Sequence, residues 1–187
     1  MPATLPPPPA LMDKAGMAAC IERLAEEICQ GSQGARQLAL VGIHRRGVPL
    51  AHRLAAAMAG KPCASIVLGS IDVTQYRDDL QTMKVLPKLE GSDIVFDMDD
   101  AHVVLCDEVL YTGRTIRAAI DELLDFGRPR KVQLAVLVDR GGRELPIQPD
   151  YVGLYHEVDD SERICVQFEE LDGLDTVFVQ PSTTPSE

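Results

Sequence analysis

The amino-acid sequence predicts an α/β protein: a mostly parallel, twisted sheet flanked by helices. Three observations carry this. Short apolar runs alternate with longer stretches whose apolar residues recur at helical spacing, the pattern of strands joined by crossover helices. Val132 to Val138 is a β-branched run that reads as a strand buried on both faces. The segment VVLCDEVLYTGRT, Val103 to Thr115, passes from a buried strand through two adjacent carboxylates and a small-residue turn into a helix. Ligands of such sheets bind in the crevice at the carboxyl ends of the strands.

The elements follow in order. Residues 1–12 begin MPATLPPPPA, whose prolines favour an extended, disordered tail. Met17, Cys20, Ile21, Leu24 and Ile28 recur at helical spacing, with Gly31 as the stop. Leu38 to Val41 reads as a short strand, and His44-Arg45-Arg46-Gly47 as a basic loop leading into a helix around Leu50 to Met58. Ile66 to Val73 reads as another strand, and Tyr76 to Asp93, polar and without steady periodicity, as a long mobile loop. After the Val103–Thr115 segment, IRAAIDELLDFG is an amphipathic helix, and short strands are expected near Tyr151, Cys165 and Val177. One domain, 13–180, accounts for all of these, with a second disordered tail at 181–187.

Composition narrows the class. With 187 residues, 45% of them hydrophobic, one domain with a real core is expected. No apolar run reaches the roughly 18 residues that span a bilayer, and the N-terminus lacks the charged and apolar regions of a signal peptide. Cys20, Cys29, Cys63, Cys106 and Cys165 are irregularly spaced and mostly sit in apolar segments, as reduced thiols of a cytoplasmic protein do. Four scattered histidines add no metal-ligand spacing.

The chemistry concentrates at Asp107, Glu108 and Thr112-Gly113-Arg114-Thr115. Unpaired N–H groups and the positive dipole end of a helix favour an anion at its first turn. Adjacent carboxylates accept hydrogen bonds from sugar hydroxyls. Together they suit a sugar phosphate.

These residues resemble the PRPP-binding loop of the type I phosphoribosyltransferases, whose fold the chain is expected to share. DEVLYTGRT, with GRPRKVQLAVLVDRGGRELPIQPDYVG behind it and LALVGIHRRGVPLAHRLA and GSIDVTQYRDDL before it, is most similar to the PyrR family. The similarity runs from about Met17 to Val179. It implies a cytoplasmic uracil phosphoribosyltransferase that makes UMP and pyrophosphate from uracil and PRPP, with Mg²⁺ bound mainly through PRPP and no metal ligand assigned on the protein. It also implies a homodimer or a higher homo-oligomer.

The resemblance assigns residues as well. Thr112, Gly113, Arg114 and Thr115 cradle the 5′-phosphate, Asp107 and Glu108 bind the ribose hydroxyls, and Tyr111 lies in the same motif. Arg45 and Arg46 match the pyrophosphate loop, where guanidinium forks suit phosphate oxygens. Tyr76 and Arg77 match a loop that closes over the pyrophosphate. Arg140 and Ile164 are pointed to for the base, with Tyr151 as a stacking platform. No general base stands out.

Two departures from the family matter. Glu108 stands where the family has aspartate, extending the carboxylate by about an ångström, a displacement that can cost about 10²-fold in rate. PyrR proteins that bind RNA to attenuate the pyrimidine operon line up positive charge for the phosphate backbone. Here Glu22 and Glu26 occupy the first helix, and Gly142, Gln148 and Leu154 replace a histidine, an arginine and a lysine, in a chain of net charge −11. Arg23 alone survives, so RNA binding is not expected. The alternatives are a nucleotide-sensing RNA-binding regulator with little catalysis and a hypoxanthine or guanine phosphoribosyltransferase. A PRPP synthetase-like relative is disfavoured by the short chain.

Overall fold

The computed structural model describes residues 10–73 and 91–182. In chain order these form β1 (Ala10–Met12), α1 (Lys14–Gly31), β2 (Gln37–Ile43), α2 (Gly47–Met58), β3 (Ser65–Ile71), β4 (His102–Leu110), α3 (Arg114–Asp125), β5 (Lys131–Asp139), β6 (Tyr151–Tyr155), β7 (Glu162–Gln167), α4 (Glu169–Asp172) and β8 (Thr176–Pro181). Five strands make a wholly parallel sheet in the order β3-β2-β4-β5-β6. The remaining three pair antiparallel as β1-β8-β7.

Period-two alternation divides the core between the faces of the large sheet. On one face Leu38 and Leu40 of β2, Val104 and Cys106 of β4, and Ala135 and Leu137 of β5 pack with α1, α2 and the small sheet. On the other, Ala39 and Val41, Val103 and Leu105, and Leu134 and Val136 pack with α3. Both faces being dry explains why these strands read as nearly continuous apolar runs. Asp13 caps α1, its Oδ1 accepting from the Gly16 N–H at 2.8 Å.

The small sheet is a hood tied down by Phe168, which is fully buried. Arg53 of α2 lies 5.0 Å from the centroid of that ring and also binds Glu170 at 2.6 and 2.8 Å and Asp175 at 2.6 Å. Lys14 adds a pair with Glu169 at 2.5 Å.

Three expectations need adjusting. Ala10–Met12, assigned to the tail, form β1 against β8, a pairing that no local pattern in a three-residue strand announces. The strand expected over Ile66 to Val73 runs instead from Ser65 to Ile71. The expected strands near Cys165 and Val177 are present but belong to the antiparallel hood, while Tyr151 begins the edge strand of the large sheet. Most of the expected loop from Tyr76 to Asp93 lies outside the described residues. No described helix is long and apolar enough to cross a membrane.

Because Phe168 joins hood to core, Phe168→Ala is expected to lower unfolding free energy by about 3–5 kcal/mol in chemical denaturation. A change below about 1 kcal/mol would show that the hood folds independently of the sheet.

Candidate active site at the carboxyl edge of the sheet

All five strands of the large sheet point their carboxyl ends at one edge, and β4 sits in the middle of it. Its sequence is apolar as far as Cys106 and then turns acidic. Asp107 is 6% exposed, with its Oδ1 accepting from the Glu108 N–H at 3.0 Å, while Glu108 is half-buried. Burial pushes the Cys106 thiol up, so it is inert beside them.

Parallel register pairs Gly42 with Cys106, which brings the His44–Gly47 turn alongside Asp107. The approach is too close for side chains. A Cβ on Gly47 would stand 2.1 Å from the Cys106 carbonyl oxygen, and one on Gly42 would stand 2.5 Å from Val48 Cα. Arg45 is exposed on this turn, and the His44–Arg45 peptide is cis. Arg46 is committed to Asp172 at 2.8 Å, and its buried Nε has no partner among the described residues. Burial raises the Asp172 carboxyl, but the Phe168 N–H and Arg46 outweigh it and hold the group below the ordinary range.

Beyond β4 the chain turns through Gly113, the N-cap of α3, at φ +91°, a left-handed conformation that favours glycine. The Arg114 N–H donates to Thr112 Oγ1 at 3.3 Å, and the Arg117 N–H to Gly113 O at 2.9 Å begins the helical ladder. The N–H groups of the first turn therefore face outward with the dipole's positive end, an anion cradle. The Arg114 side chain turns away to Glu144, at 2.7 Å.

The third wall follows β5. Asp139, 6% exposed, binds Arg143 Nη2 at 2.5 Å and accepts from the Gly141 N–H at 3.0 Å. Arg143 also donates to the carbonyls of Ile147, Tyr111 and Gly141 at 2.9, 2.9 and 3.2 Å. The N–H groups of Glu144 and Leu145 both donate to Thr112 O at 3.1 Å. This strap fastens the 141–147 segment to the cradle. Arg140, 7% exposed, lies with its guanidinium 3.7 Å from the Tyr111 ring centroid, and its buried Nε has no partner among the described residues. The Tyr111 hydroxyl donates to Asp160 at 3.1 Å; burial first, then Asp160, pushes the phenol up, so it stays protonated.

Beside β3, the Asp72 N–H donates to Ser92 Oγ at 2.9 Å, and Ser92 in turn donates to Glu122 of α3. Burial, with Asp72 and Asp125 adding, raises the Glu122 carboxyl.

Of the residues named from sequence, Asp107, Glu108, Tyr111, Thr112, Gly113, Arg114, Thr115, Arg45, Arg46 and Arg140 gather at this edge. Tyr76 and Arg77 lie outside the described residues. Tyr151 does not reach it and is corrected to a core residue. It pairs with Ala135, four positions before Asp139 and so about 13 Å back along the strand. Its hydroxyl donates to Gln133 at 3.2 Å against Gly31 of α1. Ile164 is 8% exposed in the hood, its side chain within the core cluster. Asp139, Arg143, Asp160 and Asp172 were not anticipated. The local signal was the i, i+4 spacing of Asp139 and Arg143, whereas Arg143 to Tyr111, Tyr111 to Asp160 and Arg46 to Asp172 join distant segments.

Comparison with known proteins follows the same outline. The family model described as phosphoribosyl transferase domain matches residues 10–172. The chain is 48% identical over 169 residues to the Bifunctional protein PyrR of Acetivibrio thermocellus, covering 90% of this chain and 92% of that one. It is 48% identical over 167 residues to the protein of the same name from Thermus thermophilus, covering 89% and 92%. Among solved structures, the hypoxanthine phosphoribosyltransferase of Trypanosoma cruzi superposes with a TM-score of 0.70 at 18% identity, over 92% of this chain and 97% of that one. That likeness shows the fold alone.

Arg143→Leu would leave Asp139 buried without its cation. The expected loss is about 3–5 kcal/mol of stability by denaturant unfolding, and a loss under about 1 kcal/mol would show that Asp139 finds another partner.

Proposed function

The chain belongs to the phosphoribosyl transferase family, in its PyrR branch, and from that premise we propose that it transfers the phosphoribosyl group of PRPP to uracil, giving UMP and pyrophosphate. The observation that carries this reading is the order of groups along one edge: the Arg45–Arg46 turn, the Asp107–Glu108 pair, the Gly113 cradle and the Arg140–Tyr111 stack.

In this reading the first turn of α3, Thr112 to Thr115, takes the 5′-phosphate. Asp107 and Glu108 accept from the ribose hydroxyls, which fixes C1 between the pyrophosphate and the base. A uracil nitrogen attacks C1 as the bond to pyrophosphate breaks, its proton passing to the departing pyrophosphate or to solvent, and positive charge develops on the ribose ring near the carboxylates. Arg45, exposed on the turn, neutralises the departing pyrophosphate, and Arg46, anchored by Asp172, holds the turn in place beside it. Catalysis is then positioning and electrostatics.

Among the described residues no three His, Cys, Asp or Glu side chains cluster as a metal site. In this reading an Mg²⁺ ion would be held mainly through PRPP, with Asp107 and Glu108 as the neighbouring carboxylates. When bound, it would supply charge neutralisation of the pyrophosphate.

In this reading the outer face of α1 is not an RNA surface, because its charges are engaged within the protein. Arg23, the surviving basic residue of α1, donates to the Val152 and Gly153 carbonyls of edge strand β6 at 3.1 and 2.6 Å and pairs with Glu27 at 2.6 Å. Glu22 and Glu26 hold Lys61 at 3.2 and 3.5 Å.

The test is pyrophosphate release from PRPP and Mg²⁺ with uracil, hypoxanthine or guanine offered separately. Release with uracil alone is expected. Release only with a purine would replace the substrate, and no release with any base would overturn the enzymatic reading. Asp107→Asn should cut turnover by about 10²-fold or more with an unchanged melting temperature; unaltered kinetics would remove Asp107 from the ribose site. Glu108→Asp should preserve or raise activity, whereas a tenfold loss would mean a site built around glutamate.

A further inference from the structure

Tyr111 stands where the phosphate cradle meets the base side, yet the reaction above gives it no task. Its ring is held at three places. The Arg140 guanidinium lies 3.7 Å from its centroid. Its hydroxyl donates to Asp160, on the connection between β6 and β7, at 3.1 Å. Gly142, at φ +67°, presses on the ring edge, where a Cβ would stand 2.4 Å from Cε2. A side chain at 142 would collide with the ring, so the glycine lets the segment lie against Tyr111.

Arg140 is correspondingly constrained. Its backbone N–H donates to Leu110 O at 3.0 Å, the residue is 7% exposed, and its Nε is buried without a partner among the described residues. A guanidinium held over an aromatic ring directs its N–H groups edgewise, in its own plane. A buried donor without a partner is unfavourable unless an acceptor arrives. A planar ligand carrying a carbonyl oxygen meets that requirement, and a nucleobase is one.

We propose that Tyr111 is a positioning residue for the nucleobase: by stacking on Arg140 it fixes the plane in which the guanidinium edge meets a carbonyl of the base. This rests on the reading of the site as a phosphoribosyltransferase centre. Tyr111 therefore sets affinity for the base and leaves affinity for the sugar phosphate alone. A phenol that donates to Asp160 also has its proton engaged there, which separates this role from that of a general base.

The experiment is titration calorimetry of the full chain with UMP, GMP and ribose 5-phosphate, the last having no base. The gain of a nucleotide over ribose 5-phosphate measures what the base contributes. Tyr111→Leu is expected to cut that gain about tenfold while ribose 5-phosphate binding stays within about twofold. Tyr111→Phe, which keeps the ring, should retain most of it. In an Arg140→Met background Tyr111→Leu should change nothing further, because both act through one contact. If the leucine variant fails to fold, Tyr111→Met gives the same readout. Equal losses for nucleotide and ribose 5-phosphate, an undiminished gain, or no gain with either nucleotide in the unmutated protein would overturn the assignment. A gain with GMP but not UMP would sink the uracil reading, while the variants still report on Tyr111 through GMP.

Discussion

The carbonyl of Cys106 and the amino end of α2 approach so closely that a Cβ on Gly47 would stand 2.1 Å from the oxygen. Much of the site's geometry follows from that contact. Parallel pairing of β2 with β4 sets the height of the two chains, and the close approach sets the lateral gap. The exposed Arg45 is then carried on a turn that cannot drift from Asp107. A bulkier residue at 42 or 47 would lift the turn off the strand and carry Arg45 away from Asp107. The glycines are conserving distance, which is why neither lies in the positive-φ region.

A second constraint is the use of arginine. The chain carries 18 Lys and Arg against 29 Asp and Glu, so cations are scarce. Several arginines are spent on joining segments distant in sequence. Arg53 joins α2 to the hood through Glu170, Asp175 and the Phe168 ring. Arg46 joins the active-site turn to Asp172, and Arg143 joins the strap to Asp139 and the Tyr111 carbonyl. Each fork satisfies several acceptors at once, which the single charge of a lysine cannot do in a fixed plane. These forks add to the apolar contacts of the hood, whose Ile164, Val166, Phe168 and Val177 are buried in the core, and they fasten the strap to the sheet edge.

How legible this was from sequence depended on range. The acidic pair, the glycine turn and α3 are consecutive, so their geometry follows from strand and helix periodicity together with the φ of one glycine. The double burial of β5 was visible in the β-branched composition of Val132 to Val138. Tyr151 was misplaced because an aromatic beginning a strand looks the same whether it faces a ligand or a helix; its neighbour Gly31 lies 120 positions earlier. The bonds from Arg143 to the Tyr111 carbonyl and from Arg46 to Asp172 were invisible for a related reason, since they are fixed by how the chain returns. Strand β1 is three residues long, too short for any period to show.

An acidic protein with a site for a polyphosphate is not a contradiction once the ranges of the forces are compared. Exposed charges are largely screened beyond about 8 Å at physiological salt. The net charge of −11 therefore weighs on a partner that covers much of the surface, as an RNA helix would, and weighs little on a small anion held within the edge. Within that edge the amino end of α3 and the exposed Arg45 act at short range, beside the Asp107–Glu108 pair. Those contributions survive any number of acids on the outer faces of α1. The same separation of scales lets the outer surface be acidic, with Arg23 taken up by the β6 carbonyls, without changing the short-range field at the sheet edge.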